Sequence, residues 1–332
     1  MTLPSERIAD HLAGRPVLVV GRAGMDIYPV PDGTRVEDAV ELVNDVGGSS
    51  GNIAVSIAKQ GHDVMLMSAV SNDGVGRFVT RSLGEYGVDT QHCFVTTGLE
   101  RTSLALAEST TDSPNVTIYR NDAADLAITP AHAEAVDVPS LGAIIITGTA
   151  LSREPSRSAC ERLVALAGDA GCPVVLDLDY RPQAWASVEE ARDVLAGLAR
   201  RVDMPVGNDE EFDLIADGDG RNFAAGLADA GALVLYKMGE GGCDILEGGG
   251  KTHVGIFRVT ALKPFGSGDA FLGTSMATLA AGPGIMAAVT RGAAAAAIAV
   301  SRRGCARAMP TAAEIDAFMD NTAMDAGPTD TD

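Results

Sequence analysis

The chain has 332 residues, of which 46% are hydrophobic and 21% are charged. This composition supports a sizeable core and excludes a chain that is disordered throughout. The formal net charge of −20 argues against a nucleic-acid-binding protein, which needs a basic surface to meet phosphates. It does not exclude an anionic small-molecule ligand, because a few local cations and backbone amides are enough to hold one.

Five short apolar runs predict buried strands of a parallel sheet. They are residues 16–21, 64–69, 143–147, 173–176 and 232–236. Helices are predicted at residues 51–60, 76–86, 155–170, 188–199 and 269–281. This alternation predicts an α/β fold with helices on both faces of the sheet. Ligands bind such sheets at the carboxyl ends of the strands, so functional residues are expected just after each run.

Two segments break this alternation. Residues 34–46 and 101–120 alternate in polarity, which indicates strands with one solvated face and a small β lid over the strand ends. The C-terminal residues are acidic and poor in apolar side chains, which predicts disorder. The predicted division of the chain has three parts: a discontinuous core domain (16–33, 47–100 and 121–318), the lid (34–46 and 101–120) and a disordered tail (319–332).

Three features bear on the cellular location. Residues 1–13 carry charges and no apolar segment, so no secretory signal is expected. The charge-free residues 270–290 are about as long as a membrane span, but 282–284 (Gly-Pro-Gly) divide them, which predicts two buried helices. Five cysteines without C-x-x-C spacing indicate reduced thiols rather than disulfides or a zinc site. A cytoplasmic protein is the expectation.

A glycine-rich turn precedes the helix predicted at 269–281. Gly266, Ser267 and Gly268 let backbone amides converge where that helix begins, which predicts an anion hole suited to a phosphoryl group. Asp269 follows directly. Its carboxylate can cap the helix, or it can take a proton from a substrate hydroxyl. The segment alone favours the cap.

Two further segments lie near predicted helices or strand ends. Gly47 and Gly48 precede a helix that carries Asn52, and they permit either close approach to a ligand or simply a flexible turn. Residues 177–182 follow a buried strand and combine two acids with Arg181. That combination is either a structural salt-bridge cluster or a ligand site in which Arg181 grips a carboxylate with two hydrogen bonds.

Two more segments bear on phosphates and metal. Asn208 and Glu211 belong to an acidic helix start, which suits either the helix dipole or the oxygen ligands of Mg²⁺. Lys237, Gly239 and Gly242 follow another buried strand and predict a second glycine-rich turn able to face phosphates.

Other common site types lack their pattern. The five histidines form no ligand-spaced pair and none neighbours a motif, which argues against a histidine metal site and a serine triad. The spacing G-x-x-x-x-G-K-[ST] is absent, and no G-x-G-x-x-G follows the first strand. A Rossmann oxidoreductase is therefore disfavoured.

Taken in order, the motifs resemble those of the ribokinase-like (PfkB) carbohydrate kinases. The series, which covers roughly residues 16–315, is G-G-x-x-x-N-x-A at 47–54, D-x-D-x-R at 177–181, N-x-x-E at 208–211, K-x-G-x-x-G at 237–242 and G-x-G-D-A-F at 266–271. The resemblance implies a three-layer α/β/α sandwich with a small β lid. It also implies transfer of the γ-phosphoryl group of ATP to a sugar hydroxyl with Mg²⁺.

The resemblance also implies roles for individual residues. It makes Asp269 the catalytic base rather than a cap. The remaining assignments are Gly266, Ser267 and Gly268 for the transferring phosphoryl group, Lys237, Gly239, Gly242, Gly266 and Gly268 for the nucleotide, Asn208 and Glu211 for Mg²⁺ through its waters, and Asp26, Gly47, Gly48, Asn52, Arg120 and Arg181 for the sugar.

Four segments are similar to one branch of the family, which phosphorylates 5-dehydro-2-deoxygluconate in inositol breakdown. They are residues 21–28, 119–125, 179–185 and 263–266. The wider family usually has Asn where this chain has Asp179, and the aspartate is typical of that branch. The substrate would be a keto-deoxy sugar acid, whose carboxylate needs a cation. Arg120 and Arg181 are the candidates.

Two alternatives stay open. Within the family, the substrate can instead be 2-keto-3-deoxygluconate or another sugar. In a different class, the chain can be a non-catalytic sugar or nucleotide sensor on the same fold, although the presence of Asp269 argues against that. The expected partners are the sugar acid and ATP, with a homodimer formed through the lid and no nucleic acid or membrane.

Overall fold

The computed structural model describes residues 2–108, 115–263 and 265–326. Its strands are β1 (Val17–Val20), β2 (Gly24–Val30), β3 (Glu41–Gly47), β4 (Val64–Ser71), β5 (Cys93–Thr96), β6 (Leu104–Ala107), β7 (Val116–Tyr119), β8 (Ala143–Thr147), β9 (Val174–Asp177), β10 (Met204–Asn208), β11 (Val234–Lys237), β12 (Cys243–Glu247) and β13 (Gly250–Val254).

The helices alternate with most of these strands. They are α1 (Pro4–Leu12), α2 (Ser49–Lys59), α3 (Gly74–Glu85), α4 (Pro130–Glu134), α5 (Ser156–Ala170), α6 (Val188–Ala199), α7 (Asp209–Ile215), α8 (Gly220–Asp229), α9 (Ser267–Ala280), α10 (Ile285–Val300) and α11 (Ala312–Asn321).

The main sheet has the strand order β13-β12-β11-β10-β9-β8-β1-β4-β5. The strands from β5 to β11 in this order run parallel, and β12 and β13 add an antiparallel edge. Val17 of β1 lies opposite Val64 of β4 on one side and Ala143 of β8 on the other. The direction in which strands are added therefore reverses at β1. In open α/β sheets a crevice for ligands forms at such a point.

Alternate residues of the central strand face two hydrophobic clusters. Val17 and Val19 pack into the cluster that includes α2, α9 and α10. Leu18 and Val20 pack into the cluster that includes α5 and α6. Because both faces of the sheet are covered, its strands are apolar throughout rather than alternating. The predicted three-layer α/β/α sandwich with a mostly parallel sheet is confirmed.

The five predicted buried strands and the five predicted helices agree with the structure to within two residues at each end. The five buried runs form β1, β4, β8, β9 and β11, and the five helical segments form α2, α3, α5, α6 and α9. Strand β10 was not predicted, because its sequence MPVGN contains proline and glycine, which are typical of turns. The β12–β13 hairpin was not predicted either.

The apolar residues 270–290 form parts of two helices, as predicted. The first helix, α9, ends at Ala280 and α10 begins at Ile285. Gly282 and Gly284 between them have φ values of 94° and 90°, a conformation that favours glycine. In the described part of the chain, no helix combines the length and the apolar character needed to cross a membrane.

A second, four-stranded sheet has the order β3-β2-β6-β7. Strands β3, β6 and β7 come from the segments predicted as the lid, whose residues 109–114 lie outside the described residues. Strand β2 also belongs to this sheet, although the sequence analysis assigned residues 16–33 to the core domain. The reason is its pairing, since β2 runs antiparallel to β3 and parallel to β6.

The C-terminal segment is ordered further than predicted. Helix α11 continues to Asn321, and the backbone of Asp325 forms two hydrogen bonds with Ile256, at 2.7 and 3.0 Å. The Asp325 carboxylate also pairs with Arg258 at 2.5 Å. The expectation of a disordered tail from residue 319 is therefore wrong for residues 319–326. Residues 327–332 lie outside the described part.

Candidate active site

The start of α9 lies at the carboxyl-terminal side of the main sheet. Gly266 is the residue before the helix and has a φ of 86°, which lets the chain turn sharply into Ser267. The first amides of a helix have no partners within it, so those of the turn are available to an anion. Lys237 of β11 reaches the same turn, since its Nζ would lie 3.5 Å from a Cβ on Gly268. The predicted anion hole thus acquires an ammonium group.

Asp269 lies in the first turn of α9 and is half-buried. Its Oδ2 accepts a hydrogen bond from Nδ2 of Asn52 at 2.8 Å. No side chain caps α9 at Gly266. In the described residues, therefore, the carboxylate of Asp269 is held by a neighbouring helix rather than by its own.

The contact between Asn52 and Asp269 was not predicted. Asn52 was expected to contact the sugar, and no spacing in the sequence connects residues 217 positions apart. The contact arises because α2 packs against α9. A Cβ on Gly273 of α9 would lie 2.5 Å from Cβ of Ser56 in α2. Glycine at this position lets the two helices approach closely.

The environment of Asp269 suits a general base. Burial and the nearby Asp179 carboxylate raise the pKa of Asp269 to about 6, while the hydrogen bond from Asn52 and the charges of Arg181 and Lys237 oppose the rise. A base is most effective when its pKa lies near the working pH. At neutral pH, Asp269 is mostly ionised and can accept a proton.

Carboxylates and cations lie close to one another beside Asp269. Lys237 Nζ lies 3.7 Å from Asp177 at the end of β9. Burial raises the pKa of Asp177, Lys237 lowers it, and the like charges of Asp179 and Glu211 raise it again, with the net effect upward. A bound cation would offset the negative charge of these carboxylates and favour the ionised form of Asp177.

The acidic helix start at α7 forms a reciprocal cap. The Asn208 side chain accepts from the Glu211 amide at 2.8 Å, and the Glu211 carboxylate accepts from the Asn208 amide at 2.8 Å. The other Glu211 oxygen accepts from the Tyr180 amide at 3.1 Å. In the described residues, no three His, Cys, Asp or Glu side chains form a ready metal cluster. The role of Asn208 and Glu211 toward Mg²⁺ stays a prediction.

The turn after β11 contains Gly239 and Gly242, two of the four glycines predicted for the nucleotide. Residues Gly239–Gly241 form a single 3₁₀ turn. A Cβ on Gly239 would meet no atom within 4 Å, so there is open space beside it. A Cβ on Gly242 would lie 2.4 Å from the Val254 carbonyl oxygen, so that glycine allows β12 and β13 to pair. Strand pairing therefore explains glycine at position 242 without reference to a nucleotide.

Two of the predicted sugar-binding residues, Asp26 and Gly47, approach each other closely in the lid sheet. A Cβ on Gly47 would lie 2.0 Å from the carboxyl group of Asp26, so only glycine fits there. Tyr28 donates to Oδ2 of Asp26 at 3.1 Å. In the described chain, Oδ1 of Asp26 and Oδ1 of Asn52 are buried without a hydrogen-bond partner. Buried acceptors are normally satisfied, so these two oxygens indicate a ligand with hydroxyl groups.

Both arginines predicted for the substrate carboxylate contact acids of the protein. Arg120 forms a close ion pair with Asp125 and donates to the Thr149 carbonyl at 3.2 Å. Arg181 pairs with Asp179 at 3.0 Å, and its side chain is 57% exposed. Asp179 itself has a φ of 32°, which is uncommon for a residue with a side chain. The roles of the two arginines toward a substrate stay predictions.

Lys263 is a site residue to which sequence analysis gave no role. It is fully buried, and its Nζ donates to the carbonyl of Phe265. A Cβ on Gly266 would lie 3.4 Å from this Nζ and from Sγ of Cys305. The Lys263 ammonium group thus lies against the turn that is predicted to form the anion hole. A lysine three residues before a glycine-rich turn was the available signal.

The comparisons with known proteins agree with this geometry. A family model described as pfkB family carbohydrate kinase matches residues 15–312. A 5-dehydro-2-deoxygluconokinase of Photobacterium profundum is 36% identical over 93% of this chain and 96% of that protein. One of Geobacillus kaustophilus is 34% identical over 91% of this chain and 93% of that protein. A ribokinase II of E. coli, solved with ATP and Mg²⁺, has a TM-score of 0.83 at 22% identity, with 92% and 99% of the two chains covered.

A glycine-rich turn at a helix start, with the partly buried carboxylate of Asp269 beside it in an α/β sandwich, is suited to a phosphotransferase. The chain belongs to the pfkB family of carbohydrate kinases. The family resemblance found in the sequence is thereby confirmed, and the protein is a sugar kinase.

Proposed function

We propose that this kinase transfers the γ-phosphoryl group of ATP to the terminal hydroxyl of 5-dehydro-2-deoxy-D-gluconate, in the breakdown of myo-inositol. The observation that carries the proposal is the Asn52–Asp269 pair beside the anion hole, in a chain whose relatives at 34–36% identity are named for that reaction. The substrate carries a carboxylate at one end and the reacting hydroxyl at the other.

The residues of the site supply the steps of the transfer. The Asp269 carboxylate accepts the proton of the terminal hydroxyl, whose oxygen forms a bond to the γ-phosphorus. The bond between that phosphorus and the β–γ bridging oxygen breaks, which leaves ADP and the 6-phosphate. The amides of Gly266, Ser267 and Gly268 face the charge on the transferring group, with Lys237 beside them.

The nucleotide is expected on the side of β11. Lys237 pairs with Asp177 and lies next to Gly268, so it is placed to meet phosphate oxygens. The open space beside Gly239 supports phosphate approach at the neighbouring turn. Gly242 contributes by shaping that turn.

The acids around Asp177 and Glu211 fit a hydrated Mg²⁺ bound to the nucleotide. Burial, together with the like charges of Asp179 and Glu211, raises the pKa of Asp177, so a cation would stabilise the ionised cluster. Mg²⁺ usually keeps several waters and takes one or two carboxylates plus phosphate oxygens. When bound, it neutralises charge on the phosphates. Asn208 and Glu211 would orient its waters.

The test is a coupled assay of ADP release with ATP and Mg²⁺. Equal concentrations of 5-dehydro-2-deoxygluconate, 2-keto-3-deoxygluconate, fructose and ribose are compared in parallel. We expect the highest kcat/KM with the first compound. Preference for 2-keto-3-deoxygluconate or a neutral sugar would replace the proposed substrate. Binding of sugar and nucleotide without turnover would indicate a sensor.

A further inference from the structure

Arg22 lies just after β1, where the main sheet meets the lid sheet, and none of the roles assigned above uses it. The residue is only 9% exposed, so its guanidinium is largely removed from water. Its Nη1 donates to the hydroxyl of Ser103 at 3.0 Å, and Ser103 directly precedes β6. Across residues 2–108, 115–263 and 265–326, this is the only hydrogen bond of the guanidinium, and no carboxylate lies within ion-pair distance.

The hydrogen bonding of Arg22 differs from that of Arg120 and Arg181. Arg120 and Arg181 each form an ion pair with an acid of the protein. A guanidinium has five N–H donors, and burial of an unpaired charge is costly. One hydrogen bond from one nitrogen leaves most donors of Arg22 without a protein partner. A buried cation with unused donors indicates an anionic ligand.

The position of Arg22 places that ligand in the sugar site. Its carbonyl oxygen accepts from the Gly51 amide at 3.1 Å, and a Cβ on Gly48 would lie 2.5 Å from the same oxygen. Burial raises the pKa of Asp26, and the charge of Arg22 opposes that rise, so the two side chains share one environment. Arg22 meets the first turn of α2 through Gly48 and Gly51, whereas Asp269 meets it at Asn52.

We propose that Arg22 is the main anchor for the carboxylate of the sugar acid, and that it determines the preference for acids over neutral sugars. This inference rests on the proposed function and deepens it. The planar fork of a guanidinium binds both oxygens of a carboxylate. A neutral sugar leaves the buried charge uncompensated, so the same residue selects against it.

The test compares Arg22→Met and Arg22→Lys with the wild type. The substrates are 5-dehydro-2-deoxygluconate and its methyl ester, which keeps the reacting hydroxyl and lacks the charge. We expect Arg22→Met to raise KM for the acid by roughly 10²-fold, with a much smaller change in kcat and in the KM of the ester. Arg22→Lys restores the charge without the fork and should recover part of the affinity. Arg77→Met, a change at an exposed arginine of α3, is the matched control.

Equilibrium binding of the acid and of ADP separates the possible failures. Normal ADP binding shows that a variant is folded. Equal losses for acid and ester, or acid binding as tight as in the wild type, would overturn the role of Arg22. Wild-type protein that binds the acid without phosphorylating it would refute the proposed function, while a loss of binding in Arg22→Met would still support the anchor. Wild-type protein that binds no sugar acid would refute both.

Discussion

A single carboxylate, that of Asp269, carries the chemistry proposed here, and its surroundings set its protonation. Burial and Asp179 raise its pKa to about 6, and Asn52 and two cations keep it from rising further. A carboxylate in this range is ionised at neutral pH and still basic enough to assist deprotonation of a hydroxyl.

Activity is therefore expected to depend on Asp269 and on pH. Because the base must be ionised, kcat/KM should be level above neutral pH and fall about tenfold per unit below pH 6. Asp269→Asn should lower kcat by roughly 10²–10⁴. Initial rates across pH measure both effects, with the exposed Asp229→Asn as control. An Asp269→Asn enzyme with unchanged kcat would contradict the assignment.

Replacing Asn52 by leucine should move the pH profile. The amide of Asn52 stabilises the ionised carboxylate at 2.8 Å, so its loss raises the pKa of Asp269 further. We expect the acid limb of kcat/KM to shift to higher pH. The control is Asn222→Leu, on the surface of α8. An unmoved limb would mean that the hydrogen bond does not tune the base.

At the scale of secondary-structure elements, the close packing of α2 on α9 brings the amide and the base together. A Cβ on Gly273 would lie 2.5 Å from Ser56 Cβ and 2.7 Å from the Ile53 carbonyl oxygen. Backbone cannot yield as a flexible side chain can, so the helices would have to separate. The geometry of the site thus depends on a glycine remote from the substrate.

Gly273→Ala should therefore lower both stability and kcat. Overpacking costs roughly 1–3 kcal/mol, and separation of α2 from α9 lengthens the Asn52–Asp269 contact. Chemical denaturation and initial rates measure the two effects. Gly168→Ala on α5 is the matched control, since a Cβ there meets no atom within 4 Å. If Gly273→Ala is as stable as that control, the packing argument fails.

At the scale of the whole molecule, the lid sheet has two different faces. Asp26 and Tyr28 point toward the substrate site with Ala105, because cross-strand partners share a face. The opposite face contains Leu42 and Tyr119, which are 52% and 56% exposed. Ile27, Leu104 and Leu106 on the same face are half-buried.

We expect this outer face to pair with that of a second copy, which forms a homodimer. Exposed apolar surface of a sheet is a common site of association. Sedimentation equilibrium at micromolar concentration should give the dimer mass. The double variant Leu42→Lys, Tyr119→Lys should give the monomer, whereas Val188→Lys on α6 should not. A monomeric wild type would contradict the prediction.

The sequence by itself determined five buried strands, the five helices that alternate with them and the order of the motifs. Continuous apolar runs predict strands buried on both faces, and they placed β1, β4, β8, β9 and β11 correctly. The position of Asp269 and its glycine-rich turn at a helix start was also predicted, because these residues are close in sequence. Apolar runs and glycine-rich turns can be recognised in the sequence because the residues that form them are neighbours in the chain.

The tertiary structure alone decided which distant residues share the site. The Asn52–Asp269 contact, the close approach of Gly47 to Asp26 and the burial of Arg22 have no pattern in the sequence. They depend on strand order and on helices packed across the sheet, which bring together segments far apart in the chain. Charge pairing followed the same rule, because Arg120 and Arg181 met acids of the protein whereas Arg22 did not. Periodicity determines which face of an element is buried, and packing determines what that face meets.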